Sequence, residues 1–451
     1  MAGSLWTRIR TALSGSSPLL RVVRNSGWLL TGKGVGAVLS LFYLAIVTRT
    51  LGPAMFGIFA LILTIALFIR RLITFDSWQG VVKFGHQMKQ GADDAALGRL
   101  LGATLTIDLV TGLVGVIAAP LICFGLGDVV GWDAQTQFWA AIYTAVMMCA
   151  LYATPTGLLR MLDRFGAGAV AETMIPITRM VGALLALAFA TNLAGFLLAW
   201  MASELAATAA YWILSWRYAP GIVRSIRLVN PVSIPRRFPG LIRFLFAANA
   251  NLAISTLMAQ GPVLVLGSFT GAAEAGFYRL AAQLSNSMTR ISQMLSRAIF
   301  TEMARSSVHE DRELSRREVA HVLTRTSLAA GFAATVIAGA LLLLGKPLIL
   351  LMSGAEYLPA YPLLLALGIA AAIEVGSVSI DPLLLATDRV RRLVVIRVVT
   401  LAAMLAGMAY AIIAGHGALG VAISVLAATA LALVLRIAAV LAGTKPEGKA
   451  A

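Results

Sequence analysis

The sequence is poor in charged residues, cysteine and histidine, and each shortage excludes a class of protein. Only 12% of its 451 residues are charged, against about 25% in a typical soluble domain. The two cysteines, Cys123 and Cys149, and the four scattered histidines have the spacing of neither a disulfide framework nor a metal site. The P-loop pattern is absent from the sequence. We therefore expect no cofactor, no metal ion and no direct use of ATP.

Hydrophobic residues make up 59% of the chain and lie in long runs. A run of about 20 apolar residues crosses a bilayer as a helix, whereas spanning strands would alternate polar and apolar residues and close into a barrel. The runs predict an all-α polytopic membrane protein with about twelve transmembrane helices. The expected spans lie near residues 28–48, 55–75, 100–122, 137–158, 169–190, 193–214, 243–267, 275–300, 325–344, 362–385, 393–414 and 418–441.

The few charges are unbalanced, with 36 Lys and Arg against 20 Asp and Glu and a net charge of +16. Such an excess would otherwise suggest nucleic-acid binding. Here the basic residues cluster after every second span, and Lys and Arg are retained on the cytoplasmic side of membranes. The pattern predicts a multi-pass protein of the bacterial inner membrane, with both termini in the cytoplasm and no nucleic-acid partner. The expected outer loops are too short for an external domain.

An internal repeat divides the chain. Gly52 and Gly57 correspond to Gly271 and Gly276 at an offset of 219 residues, and the segment 158–164 resembles 383–389 at an offset of 225. Similar offsets predict two six-helix lobes in parallel orientation, an arrangement found in transporters. The expected parts are an amphipathic stub (1–25), an N-lobe (26–217), a basic linker (218–240), a C-lobe (241–442) and a cytoplasmic tail (443–451).

The outer turn of the first lobe carries a resemblance to a known family. It reads Arg49-Thr50-Leu51-Gly52-Pro53-Ala54-Met55-Phe56-Gly57. This segment resembles the family pattern of Arg, any residue, Leu-Gly-Pro, two residues, an aromatic and Gly. Leu266-Gly267, Gly271 and Ala275-Gly276-Phe277-Tyr278 resemble its second-half counterpart. The chain is thereby similar to the polysaccharide transport family of the multidrug/oligosaccharidyl-lipid/polysaccharide exporter superfamily, which includes lipid-linked O-antigen flippases.

The resemblance implies a V-shaped exporter fold whose two lobes give alternating access to a central cavity. It also implies a lipid-linked oligosaccharide, carried on polyprenyl pyrophosphate, as the cargo. Membrane lipids would surround the protein, which we expect to be a monomer, and a glycan polymerase complex is a candidate partner.

The eighth span holds a polar stripe. Its residues recur at spacings of three and four, which places them on one helix face: Gln283, Asn286, Ser287, Arg290, Gln293 and Arg297. Lipid cannot satisfy such a stripe, so it faces either a water-filled cavity or a polar seam between helices. On the cavity interpretation, Gln283, Asn286, Arg290 and Gln293 bind substrate.

Arg71 corresponds to Arg290 at the repeat offset of 219, and each follows its turn glycine by 14 residues. That distance is about 21 Å along a helix, deep enough for both to meet an anionic headgroup. Arg suits phosphate because its planar fork donates two parallel hydrogen bonds. Lys33 lies among Gly32, Gly34 and Gly36 and is a further substrate-binding candidate. Snorkelling to the interface is the alternative for Arg71 and Lys33.

Two further sets of charged residues lie inside spans. Glu374, Ser377 and Asp381 share a face of the tenth span at i, i+3 and i+7, and carboxylates there could carry H⁺ or bind Na⁺, or could pair with an arginine. Arg179 and Glu204 lie about equally far from the turn at Thr191 and Asn192. Equal depth predicts a structural ion pair between Arg179 and Glu204.

Three functions fit these features. The first is a flippase for a polyprenyl-pyrophosphate-linked oligosaccharide such as an O-antigen, capsule or exopolysaccharide repeat unit. Its transport could be coupled to H⁺ or Na⁺. The alternative is a multidrug exporter of the same superfamily, which would favour acidic, aromatic cavities over arginine. The third is a membrane-embedded polymerase or glycosyltransferase, which the short outer loops disfavour. We expect a transporter and not an enzyme.

Overall fold

The computed structural model describes residues 18–89, 94–287, 335–336, 338–377 and 390–441, and these contain helices without any strand. The prediction of an all-α fold is confirmed. In chain order the helices are α1 (Pro18–Ile73), α2 (Trp78–Lys89), α3 (Asp94–Val130), α4 (Ala134–Cys149), α5 (Ala153–Met161), α6 (Phe165–Phe189), α7 (Leu193–Tyr218), α8 (Pro220–Arg224), α9 (Ile234–Arg237), α10 (Leu241–Phe269), α11 (272–287), α12 (Ala338–Met352), α13 (Ala360–Ser377), α14 (Val390–Ile413) and α15 (Gly417–Leu441). Short 3₁₀ turns precede α9 and α13, at Pro231–Ser233 and Ala355–Tyr357.

Eight helical segments of the described ranges are long and apolar enough to cross a membrane. Their most apolar windows have mean hydropathies from 1.4 to 2.5. The first segment, Gly36–Met88, overlaps both of the first two expected spans, and α12 and α13 are shorter apolar helices. A polytopic membrane protein is thereby confirmed, whereas the count of twelve spans stays a prediction.

Glycines form the two repeat-related turns. Gly52 interrupts α1 with φ 69° and ψ 173°, so that two helices meet there. Its counterpart Gly271 has φ 107° between α10 and α11. Glycine populates positive φ without the steric cost that a Cβ imposes, and Pro53 follows Gly52 at a first helical position that suits proline. The two equivalent turns therefore share a glycine with positive φ.

Contacts group the described residues into two units. The first contains the residues up to Leu44 with Ile65–Ala253, and the second contains Ala45–Thr64 with the residues from Ile254 onward. The lobe and linker boundaries expected from the repeat stay a prediction.

In the first unit, the basic segment 218–240 is packed onto α3. Ile222, Ile234 and Phe238 are buried in apolar clusters that also contain residues of α3. Gly98 and Gly102 of α3 allow this packing, since a Cβ at either position would overlap the backbone or side chain of Ser225 and Arg227. The segment expected to be a linker therefore packs against α3 through its few buried apolar residues.

In the second unit, the Gly52 turn is held by the region around α12. Arg49 donates hydrogen bonds to the carbonyls of Leu351 (2.7 Å) and Met352 (3.1 Å) at the end of α12. A cation there stabilises the unpaired carbonyls of a helix C-terminus. Tyr357 is fully buried and donates to the Thr48 carbonyl at 3.2 Å. Arg49 therefore has the structural role that its position in the turn suggests.

Also in the second unit, the two repeats touch through their glycines. A Cβ at Gly57 would overlap the carbonyl oxygen of Ala272, and a Cβ at Gly276 would lie 2.6 Å from the carbonyl oxygen of Pro53. Pro53 and Ala272 are equivalent at the same offset of 219 as the two glycines. The contact is therefore reciprocal, as in an interface with two-fold symmetry.

Candidate functional site: a buried arginine cluster

Two arginines share one carboxylate inside the first unit. Arg179 Nη2 lies 3.0 Å from Glu204 Oε1, and Arg70 Nη1 lies 3.4 Å from Glu204 Oε2. The side chains of Arg70, Arg179 and Glu204 are 16%, 20% and 5% exposed. We call these three residues the arginine cluster. Its net charge is +1, which is costly in a membrane-spanning region unless an anion balances it.

The helical hairpin of α6 and α7 positions Arg179 opposite Glu204. Asn192 begins α7 by accepting a hydrogen bond from the Gly195 N–H at 2.9 Å, which is a helix N-cap. Gly182 lets the two helices approach, since a Cβ there would lie 2.5 Å from that of Ala199. The tight hairpin brings the two charges together as their equal distance from the turn suggests.

A helix break supplies Arg70 with a further partner. Pro155 has no N–H to donate to the carbonyl of Leu151, and its ring would clash with that carbonyl in a continuous helix. The carbonyls between α4 and α5 are therefore available to side chains. Arg70 Nη2 donates to the Ala150 carbonyl at 3.2 Å, and Trp212 Nε1 donates to the Leu151 carbonyl at 3.0 Å.

Aromatic rings cover both guanidinium groups. Arg70 lies 4.8 Å from the ring centre of Tyr152, and Arg179 lies 5.2 Å from that of Trp200. Arg179 Nε also donates to Ser203 Oγ at 3.1 Å. Cation–π contacts and hydrogen bonds hold the two planar groups in fixed orientations.

Arg71, the residue that the repeat singles out, makes a different contact. Its Nη1 lies 2.6 Å from Asp76 Oδ2, and the two side chains are 33% and 28% exposed. Its carbonyl accepts a hydrogen bond from Asn249 Nδ2 at 3.1 Å. Adjacent residues on a helix point about 100° apart, which explains why Arg70 joins the arginine cluster and Arg71 pairs with Asp76.

The other residues expected to act in transport are placed as follows. Gln283 is half-buried and Asn286 is exposed on α11, and Ser287 Oγ donates to the Gln283 carbonyl at 2.8 Å. Glu374 is exposed on α13. Lys33 belongs to α1 and Ser377 ends α13, while Arg290, Gln293, Arg297 and Asp381 lie outside the described residues. The substrate-binding and ion-coupling roles of these residues stay predictions.

Comparison with known proteins identifies the family. Residues 22–307 match the family described as polysaccharide biosynthesis protein. The chain is 29% identical over 345 residues to the inner membrane protein YghQ of Escherichia coli (strain K12), an alignment that covers 76% of this chain and 95% of the relative.

Solved structures share the fold at low sequence identity. The lipid II flippase MurJ in an inward closed conformation matches with a TM-score of 0.67 at 14% identity, over 92% of this chain and 87% of that one. An inward-facing multidrug transporter of the MATE family in the MOP superfamily matches with a TM-score of 0.64 at 12% identity, over 90% and 96%. The resemblance noted in the sequence is confirmed: the chain belongs to the polysaccharide biosynthesis protein family, and its fold is similar to those of MurJ and of the MATE transporter.

Proposed function

We propose that the protein is a flippase that moves a polyprenyl-pyrophosphate-linked oligosaccharide from the cytoplasmic to the outer leaflet of the inner membrane by alternating access. The cargo would be an O-antigen, capsule or exopolysaccharide repeat unit. The observation that carries this proposal is the arginine cluster, in which Arg70 and Arg179 share Glu204. Adding the neighbouring pair of Arg71 and Asp76 leaves its excess positive charge unchanged.

A pyrophosphate would supply the missing negative charge. Guanidinium groups bind phosphate through two parallel hydrogen bonds, and fixed planar groups lose little entropy when they do so. Both cluster arginines retain some exposed surface, at 16% and 20%. A multidrug exporter of cationic compounds would face repulsion from the same excess charge, which disfavours that alternative.

The remaining parts of the proposal come from the sequence. Arg290 and Arg71 would bind the pyrophosphate as a repeat-related pair, with Lys33, Gln283, Asn286 and Gln293 as further contacts. Glu374, Ser377 and Asp381 would take up H⁺ or Na⁺. Both termini would lie in the cytoplasm, as the distribution of Lys and Arg predicts. The protein would act as a monomer, and a glycan polymerase complex would receive its product.

The effect of Arg290→Gln on export tests this function in cells whose surface glycan depends on the protein. We expect export to fall about tenfold or more, since the loss of a charge-assisted hydrogen bond costs ~1.5–3 kcal/mol. Lipid-linked oligosaccharide should accumulate in the inner leaflet. Arg290→Lys should restore export only in part, because one ammonium cannot make the two-pronged contact. Arg71→Gln should give a milder loss.

Surface glycan and the amount of folded protein would be measured together, so that a loss of export is separated from a loss of protein. Arg236→Gln is a suitable control, because Arg236 is exposed in α9 and its removal should leave export unchanged. Normal export by Arg290→Ala at normal protein level would reject the role of Arg290 in binding the headgroup.

A further inference from the structure

Asp108 is a carboxylate buried in the first unit among neutral hydroxyl groups. Its side chain on α3 is 4% exposed, and those of Ser77, Thr104 and Thr154 are at most 1% exposed. Ser77 Oγ lies 2.8 Å and Thr154 Oγ1 lies 2.7 Å from Asp108 Oδ2. Thr104 Oγ1 lies 3.2 Å from Thr154 Oγ1 and also contacts the carbonyls of its own helix. We call these four side chains the Asp108 cluster.

The Asp108 cluster has two complete hydrogen-bond arrangements that differ by one proton. In the first, Ser77 and Thr154 both donate to an ionised Asp108, and Thr104 donates to the Leu101 carbonyl at 3.1 Å. In the second, a protonated Asp108 donates to Thr154 Oγ1, whose own hydrogen turns to Thr104 Oγ1. A hydroxyl group is both donor and acceptor and rotates to suit its neighbours. Neither arrangement leaves a donor of the cluster without an acceptor.

From this geometry we infer that Asp108 is a proton-binding site, which takes up one proton from water and releases it again while the surrounding helices keep their packing. Burial without a cationic partner disfavours the charged carboxylate, so the protonated state is accessible. The oxygens of the cluster lie at hydrogen-bonding distances from one another, which suits shared hydrogens. This inference does not depend on the identity of the cargo.

In the part of the chain that the structure describes, Asp108 makes no ion pair with Lys, Arg or His. Asp76, which precedes Ser77 in the chain, pairs with Arg71 at 2.6 Å. Of the charged side chains that the structure describes on α2, α5 and α8, Lys83 lies over Phe244, Arg160 over Trp78 and Arg224 over Trp216, and His86 is exposed. α4 has no charged residue.

The position of the Asp108 cluster gives protonation a structural consequence. Ser77 precedes α2, Thr154 lies in the first turn of α5, and Asp108 lies within α3. An ionised Asp108 accepts hydrogen bonds from both hydroxyls and ties these three elements together. The protonated form keeps the Thr154 contact but gives up its charge, which weakens hydrogen bonds that a charged acceptor makes stronger. Proton occupancy therefore tunes how firmly α2 and α5 are held to α3.

Infrared difference spectroscopy of the purified protein tests this inference directly. Spectra would be compared between about pH 8 and about pH 5, an interval in which exposed Asp and Glu side chains largely stay ionised. We expect the wild type to gain the carbonyl band of a buried, protonated carboxyl group. Asp108→Asn should lose that band. Thr154→Val, which removes the rotating hydroxyl, should keep the band but shift both its frequency and its pH midpoint.

Asp128→Asn is the matched control, because Asp128 lies on the same helix and its Oδ1 accepts from Gln137 at 2.8 Å, a bond that asparagine preserves. This variant should retain the band. Identical difference spectra for the wild type and Asp108→Asn would overturn the inference. If Asp108→Asn does not fold, an unchanged band and midpoint in Thr154→Val would overturn it as well. A wild-type spectrum without this band at about pH 5 would also overturn it.

Discussion

Glu204→Gln is expected to cost ~3–5 kcal/mol of folding stability, the range found when a buried charge pair loses one partner. The substitution leaves Arg70 and Arg179 facing each other without a carboxylate. Arg70→Gln and Arg179→Gln should each cost less, because Glu204 keeps one guanidinium partner in either variant. Thermal unfolding in detergent and the yield of monodisperse protein would measure this order.

Glu172→Gln provides the control for this prediction. Glu172 lies on α6, the helix of Arg179, but its contact with Arg160 is longer, at 3.7 Å, and the side chains of Glu172 and Arg160 are 38% and 33% exposed. Surface pairs contribute about 0–1 kcal/mol, so this variant should unfold close to the wild-type temperature. The shared-carboxylate description would be wrong if Glu204→Gln were as stable as Glu172→Gln, or if either arginine variant were the least stable of the set.

The reciprocal glycine contact predicts a second large effect. In Gly57→Ala the added methyl group would overlap the Ala272 carbonyl oxygen, and in Gly276→Ala it would lie 2.6 Å from that of Pro53. Backbone atoms cannot move aside as a flexible side chain can, so each variant should lose ~1–3 kcal/mol of stability, as in other overpacked sites. The losses should not add in the double variant, because both methyl groups force apart the same contact.

Gly125→Ala separates this packing effect from the general effect of replacing glycine in a helix. Gly125 lies in α3 and a Cβ there would have no neighbour within 4 Å. Alanine is favoured over glycine in a helix by ~1 kcal/mol, so this variant should be slightly more stable than the wild type. Equal stability of Gly57→Ala and Gly125→Ala, measured by thermal unfolding, would exclude the close contact between the repeats.

The sequence predicts the fold class well because the solvent constrains it strongly. In a bilayer every backbone polar group must be paired within the chain, so long apolar runs without strand alternation require helices. The sequence likewise indicates the turn at Gly52, because few residues other than glycine adopt a positive φ and proline suits the first position of the helix that follows. The repeat located Gly57 and Gly276, but sequence spacing carries no information that the two glycines touch.

The sequence predicts the candidate site less well, because the site depends on the directions of side chains and on partners that are distant in the chain. Arg179 and Glu204 lie on one hairpin, so counting from its turn was enough to place them at equal depth. The sequence does not single out Arg70, because the repeat offset of 219 points to its neighbour Arg71. Which of the two arginines faces Glu204 depends on how α1 is rotated about its axis. The sequence does not single out Asp108, because its hydrogen-bond partners Ser77 and Thr154 lie 31 and 46 residues away in the chain.

Transport in proteoliposomes tests most directly whether the arginine cluster handles an anionic lipid headgroup. The measurement compares transbilayer movement of a polyprenyl-pyrophosphate-linked oligosaccharide with that of the same oligosaccharide on an uncharged polyprenyl lipid, for the wild type and for Arg70→Gln. Arg70→Gln keeps the pair of Arg179 and Glu204 and is therefore expected to fold.

We predict that the wild type moves the pyrophosphate-linked lipid alone, and that Arg70→Gln moves it about tenfold more slowly, as the loss of a charge-assisted contact implies. Equal movement of the two lipids by the wild type, or wild-type rates in folded Arg70→Gln, would contradict the proposed function.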